Sequence, residues 1–297
     1  MRKIGIIGGS GVEDPELMQG FKKRTVRTPY GPAICNVGEM FGNKVVFVSR
    51  HGADHSVLPS KVNYRANIWA LKKLGVQEIF STTAVGSLNP KMKTGDFVVC
   101  DNLMDFTKNR VCTFYDTPER GVVHCDFTHP YCDGLRKKVI NCLKEMGIKF
   151  HKKGVYVCTE GPRFETSAEV KAYAMLGGDL VGMTQCPEAV LAREAEMCYT
   201  NVSIVTNMAA GISKTPLSHA EVLESMDVSK KNMQTLLQKF IAYEEVPKKL
   251  KKKTAASLYN GGKDVEVEAT EAIEPAKPVP YDCSCMHALK DFGGFKL

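Results

Sequence analysis

Five apolar, mostly β-branched runs in this chain each stop at a polar or glycine-rich cluster. Residues 3–8 (KIGIIG) lead into Gly8-Gly9-Ser10-Gly11, and residues 44–50 (KVVFVSR) end on Arg50-His51-Gly52. Residues 78–85 (EIFSTTAV) end on Thr82-Thr83-Ala84, just before Gly86. Residues 155–158 run into EGPRFET, which holds Phe164 and Glu165, and residues 203–206 end at Asn207. Short runs of this kind, bounded by turn residues, read as buried strands. A further strand is expected over 96–104. Amphipathic helical patterns interleave at 62–74 and 135–146, with Gly147 placed to stop the second, and a further helix is read over 167–175. Strands alternating with helices predict an α/β fold with a mostly parallel or mixed sheet. Ligands in such sheets bind beyond the carboxyl ends of the strands. The recurring polar ends therefore predict one site at one edge of the sheet.

Several function classes are disfavoured at once. In 297 residues there is no apolar run of about 18, so no membrane span is expected. The N-terminus turns glycine-rich and acidic with no small-residue cleavage site, which reads as a first strand and not a signal peptide, and the expected compartment is cytoplasmic. The net charge of +7 gathers partly in Lys248, Lys249, Lys251, Lys252 and Lys253. Nucleic-acid binding would want a basic face with interleaved aromatics, so this run reads as a solvated tail segment, and no nucleic-acid partner is expected. After about residue 246, glycines, acidic residues and prolines suggest an extension, 246–297, beyond a domain over 1–245. Its end is apolar enough to dock, with a neighbouring subunit one candidate surface. Eleven scattered cysteines argue against a disulfide framework. Cys283-Ser284-Cys285 is the one local pair; zinc sites usually use two pairs with longer spacing, which leaves a redox or structural bridge as an alternative.

The individual ends carry chemistry. Glycines around Ser10 let backbone amides approach an anion, although neither the dinucleotide fingerprint nor the P-loop spacing is present. Arg50 offers a planar fork for phosphate oxygens. His51 and His55 have four-residue metal spacing, but Gly52 and Asp54 disfavour a helix there, and no metal is assigned. Trp69, the only tryptophan, reads as core or subunit interface. Phe164-Glu165, Met183-Thr184 and Asn207 supply an aromatic face, a carboxylate, a thioether beside a hydroxyl, and a carboxamide. These are suitable parts for holding a flat heterocycle on a sugar.

The motifs IGIIGGSG, SRHG, PSKVNYRANIWALK, TTAVGSL, FYD, EGPRFET, GMTQCPEAVLAREA and TNMAAG, in this order over residues 3 to about 245, resemble the trimeric purine nucleoside phosphorylase and methylthioadenosine phosphorylase family. The resemblance implies a single α/β domain with a central mixed β-sheet flanked by helices, and a homotrimer, or a hexamer built from it. It implies phosphorolysis with inorganic phosphate as co-substrate and no cofactor. On this resemblance Ser10, Arg50, His51, Thr83 and Thr184 bind phosphate, with Ala84 contributing its backbone. Met183 contacts the ribose, Phe164 lies beside base and sugar, Asn207 and Glu165 read the base, and His219 meets the sugar 5′-position.

The methylthioadenosine enzymes of this family carry aspartate where this chain has Asn207, and serine where it has Glu165. An amide can donate to the carbonyl of a 6-oxopurine, and an ionised carboxylate suits the ring N–H. A site built for one such pattern can reject the other by as much as about 10⁴-fold. The expectation is therefore a phosphorylase for inosine and guanosine. Methylthioinosine or methylthioadenosine phosphorylases are the alternatives, as are a hydrolase using water and a catalytically inactive nucleoside-binding protein.

Overall fold

A computed structural model describes residues 1–8, 19–52, 56–212, 219–243 and 283–297, and only the backbone of 219–228. The expected strands form, and three of them are longer than their apolar runs suggest. Strand β1 (Lys3–Gly8) is followed by an antiparallel hairpin, β2 (Lys22–Thr28) and β3 (Gly31–Met40), and then β4 (Asn43–Ser49). After helix α1 (Tyr64–Lys73) comes β5 (Glu78–Ser87), the hub of the sheet. It lies parallel to β1 along its first half and meets β10 (Leu180–Gly182) in antiparallel fashion at its end. On its other side it pairs over its whole length with the parallel strand β11 (Cys198–Met208).

The strand expected over 96–104 is two strands, β6 (Phe97–Val99) and β7 (Asn102–Phe106). Their neighbours differ: β6 pairs with β11 and with β8 (Phe150–His151), whereas β7 pairs with β9 (Val155–Thr159). The change of partner occurs at Asp101, which exchanges hydrogen bonds with Gly154, its carboxylate accepting from the Gly154 amide at 2.9 Å. The sheet is mixed, as expected, with eleven strands among the described residues.

Helices cover both faces. On one face α1 packs with α4 (Gln185–Glu194), joining Ile68, Trp69 and Leu71 to Ala189, Leu191 and Ala192. On the other, α2 (Asp133–Met146) packs with α5 (His219–Ala242), joining Leu135 and Val139 to Leu236 and Phe240. Local signals set the ends. Asn63 caps α1 by accepting from the Ala66 amide, and Gly147 closes α2 in the left-handed region at φ 65°. Thr166 and Glu169 form a reciprocal capping box on α3 (Ser167–Met175).

Residues 283–297 dock on their own chain. The Glu196 carboxylate accepts from the amides of Leu289 and Phe295, each at 3.0 Å. The Phe295 ring meets Trp69 and Phe114 edge-on, at 5.2 and 5.3 Å between centroids. Trp69 is accordingly a core residue. The 245/246 boundary, the lysine run, Ser10 and His55 lie outside the described residues. No helix among the described residues is long and apolar enough to cross a membrane.

Candidate active site

The carboxyl ends of β4, β5, β9, β10 and β11 surround one cavity of about 360 Å³. Strand β4 delivers Arg50 and His51, and β5 delivers Thr83 and Ala84. The turn after β9 delivers Phe164 and Glu165, β10 delivers Met183 and Thr184, and β11 delivers Asn207. Every described side chain expected at the site therefore reaches one wall or another of the same cavity. His219 opens α5, and its side chain lies outside the described residues.

Asn207 owes its position to a β-bulge. The register of β11 on β5 shifts between Val205 and Asn207, leaving Thr206 as the extra residue. The Thr206 hydroxyl donates to Asn207 Oδ1 at 2.9 Å, and Asn207 Nδ2 donates to the Met208 carbonyl at 3.1 Å. The carboxamide is thereby oriented while it is still on the cavity wall. Across from it, Gly86 leaves room: a Cβ there would sit 3.3 Å from Asn207 Nδ2 and 3.2 Å from Val181. Glu165 is held by the Thr159 hydroxyl, which donates to Oε1 at 2.7 Å. Phe164 stands partly exposed at the mouth. Gly161, at φ 65°, lets the turn close over Met183, whose sulfur would lie 2.5 Å from any Cβ at that position.

At the opposite end the groups are hydroxyls, amides and charge. The Thr83 hydroxyl lies 2.9 Å from Ser203 Oγ. Thr184 precedes α4; its side chain makes no capping hydrogen bond, and the backbone at Cys186 departs from helical geometry. His51 Nδ1 is 2.8 Å from the Val57 carbonyl, to which it donates. Arg50 is buried, and its fork grips protein. Nε and Nη2 bind the Glu188 carboxylate at 2.6 and 2.8 Å, Nη2 binds Ser81 Oγ at 2.7 Å, and Nη1 binds the Thr82 carbonyl at 2.9 Å. Burial pulls this guanidinium's pKa down, but the Glu188 charge more than offsets it, so Arg50 stays protonated. The bidentate grip that sequence reasoning reserves for phosphate is thus taken up by Glu188.

Two residues of this neighbourhood escape sequence reasoning. Glu188 is one; a carboxylate buried among apolar residues (Ala189, Leu191, Ala192) is the signal that could have found it. Arg110 is the other. From an irregular segment it donates to the carbonyls of Met183 (2.7 Å), Cys186 (2.6 Å) and Glu160 (2.8 Å), tying the turn after β9 to the start of α4. No local pattern marks it.

Residues 3–242 match the Phosphorylase superfamily. The chain belongs to that family. It is 56% identical over 253 residues to a probable 6-oxopurine nucleoside phosphorylase of Thermococcus kodakarensis, covering 84% of this chain and 94% of the relative. It is 53% identical over 242 residues to the 6-oxopurine nucleoside phosphorylase of Pyrococcus furiosus, covering 80% and 91%. Among solved structures, methylthioadenosine phosphorylase from Schistosoma mansoni in complex with adenine superposes with a TM-score of 0.79 at 36% identity, over 82% of this chain and 91% of that one. The superfamily member described here thus shares both sequence and fold with purine nucleoside and methylthioadenosine phosphorylases.

Proposed function

We propose that this chain is a purine nucleoside phosphorylase that cleaves inosine and guanosine with inorganic phosphate to the free base and ribose 1-phosphate, as a cytoplasmic enzyme of purine salvage. The observation that carries this reading is that Asn207 and Glu165 line the same cavity, an amide and a carboxylate suited to a 6-oxopurine edge. The likeness to 6-oxopurine nucleoside phosphorylases supports it.

In this reading phosphate lies against Thr83, Ala84, His51 and Thr184, with Arg50 forming the wall behind, and Ser10 would be a further phosphate ligand. Met183 lies under the ribose and Phe164 beside the base. The C1′–N9 bond breaks with its electron pair leaving on the purine, and a phosphate oxygen forms the new bond to C1′. Phosphate stabilises the cationic sugar from one face, and Asn207 stabilises the anionic base. No step is routed through a metal or organic cofactor. His219 would meet the 5′-hydroxyl, and the working unit would be a homotrimer or hexamer.

A second reading, a methylthioinosine phosphorylase, is favoured by one observation: Val57, Leu58 and Pro59 give the cavity an apolar side suited to a 5′-methylthio group. Base release from inosine, guanosine, methylthioinosine and methylthioadenosine, each with and without phosphate, separates the two. Phosphate-dependent release from inosine and guanosine is expected. Preference for methylthioinosine would retain the base readers and remove His219 from its role, and preference for methylthioadenosine would overturn the base assignment.

A further inference from the structure

Far from the cavity, four cysteines meet. Cys132 is the N-cap of α2, Cys198 is the first residue of β11, and Cys283 and Cys285 flank Ser284 at the start of the docked C-terminal segment. Their four sulfurs all lie within 4.8 Å of one another, and Cys132 Sγ is 3.4 Å from Cys283 Sγ. Cys132, Cys198 and Cys285 are buried and Cys283 is half-buried. We propose that these four thiolates form a structural zinc site that fastens the C-terminal segment to the phosphorylase domain.

The geometry suits that ion. Zinc–thiolate bonds of about 2.3 Å in a tetrahedron place the sulfurs roughly 3.8 Å apart. The observed separations, 3.4 Å for Cys132–Cys283 and none above 4.8 Å, bracket this spacing. A disulfide would need about 2.05 Å and would join the sulfurs in pairs, whereas here all four are mutual neighbours. An all-sulfur donor set selects a soft or borderline ion and disfavours magnesium, calcium and manganese.

The ligands are also positioned before any ion arrives. The Cys132 amide donates to the Tyr199 carbonyl at 2.8 Å, and the Cys198 amide donates to the Gln77 carbonyl at 2.9 Å. The Met286 amide donates to the Cys283 carbonyl at 2.9 Å, which shapes the Cys283–Cys285 turn. Four thiolates around Zn²⁺ carry a net double negative charge. The positive end of the fourteen-residue helix α2 at Cys132 stabilises that charge. Binding releases the thiol protons, so occupancy rises with pH.

The site closes a loop of about 85 residues between Cys198 and Cys283, a span for which a clip has a large entropic effect on the unfolded chain. Nine positions of β11, about 30 Å of strand, separate Cys198 from Asn207. The metal should therefore govern stability and C-terminal attachment, not turnover.

The test uses the untagged full chain, purified under reducing conditions with zinc in the growth medium. Elemental analysis should find about one zinc per chain. Mercurial titration should release it together with loss of four thiolates. Cys132→Ser and Cys285→Ser should lower the stoichiometry at least fivefold, while Cys112→Ser, outside the cluster, should retain it. Should the serine variants fail to fold, wild-type protein exchanged with Co²⁺ should show the thiolate charge-transfer and d–d bands of a tetrahedral all-sulfur site. Stripping the metal should lower Tm by several degrees and expose the C-terminal segment to protease, with kcat/KM for the nucleoside substrate at 25 °C changed less than twofold. That readout is independent of which nucleoside is cleaved. Substoichiometric metal in zinc-replete protein, octahedral cobalt spectra, or recovery of the four sulfurs as two disulfides after alkylation at lysis would each overturn the assignment.

Discussion

Asn207 concentrates the functional argument in one carboxamide whose oxygen and nitrogen are both directed by neighbours. Replacing it with aspartate removes the donor while keeping size. In the proposed reading Asn207→Asp lowers inosine phosphorolysis by about 10²–10³ in kcat/KM, comparable to losing one oxyanion donor; unchanged inosine kinetics would remove Asn207 from the base site. Its surroundings can be tested without touching it. Gly86→Ala puts a methyl 3.3 Å from Asn207 Nδ2, and the expected result is roughly a tenfold loss in kcat/KM with the fold retained. Thr159→Val should act through Glu165, whose Oε1 loses the hydroxyl donor at 2.7 Å. Steady-state kinetics should show a larger effect on guanosine, which offers both a ring N–H and an amine to that carboxylate, than on a 2-deaminated analogue.

Helix α2 carries a different kind of constraint. Lys138 is buried between Glu78, at 3.0 Å, and the ring of Phe240, at 3.8 Å from its centroid. Burial pushes its pKa down to about 8, with Glu78 offsetting part of the shift. Between about pH 8 and the ordinary lysine value near 10.4, the unfolded chain holds a proton that the folded chain has released. This group therefore makes stability rise with pH across that window, by at most about 3 kcal/mol. Urea midpoints at pH 7.5 and 9.5 should diverge less in Lys138→Met than in wild type; equal divergence would show that Lys138 stays charged.

The elements also show what the sequence can and cannot disclose. Strands β1 and β4 were legible because buried central strands are nearly continuous apolar runs, and β5 because an apolar start runs into hydroxyls toward its carboxyl end. The β2–β3 hairpin was hidden: β2 reads KKRTVRT and buries only Val26, so it lacks the apolar pattern that betrays a strand. The split of 96–104 was hidden too, because a change of partner strand leaves each segment's own pattern intact. At the site, residues on strand ends followed from the sheet rule and the family likeness. Arg110 and Glu188 did not, since their meaning lies in carbonyls and an arginine distant in sequence.

For the molecule as a whole, the C-terminal segment closes over a face that contains the sole tryptophan. Phe295→Ala should cost about 2 kcal/mol, less than a fully buried phenylalanine would. It should also shift Trp69 emission to the red, because the indole loses an aromatic neighbour at 5.2 Å. Emission unchanged from wild type would mean that the segment leaves Trp69 uncovered in solution. The extra residue at Thr206 has a consequence of another order. Along β5 and β11 it interrupts the longest ladder among the described residues, so a continuous strand lacking it would hold the sheet together better. It would also lose the hydroxyl that orients Asn207. Selection for heat resistance alone would favour its deletion, whereas selection for turnover would preserve it, and lineages freed from catalysis should be the ones in which this irregularity disappears.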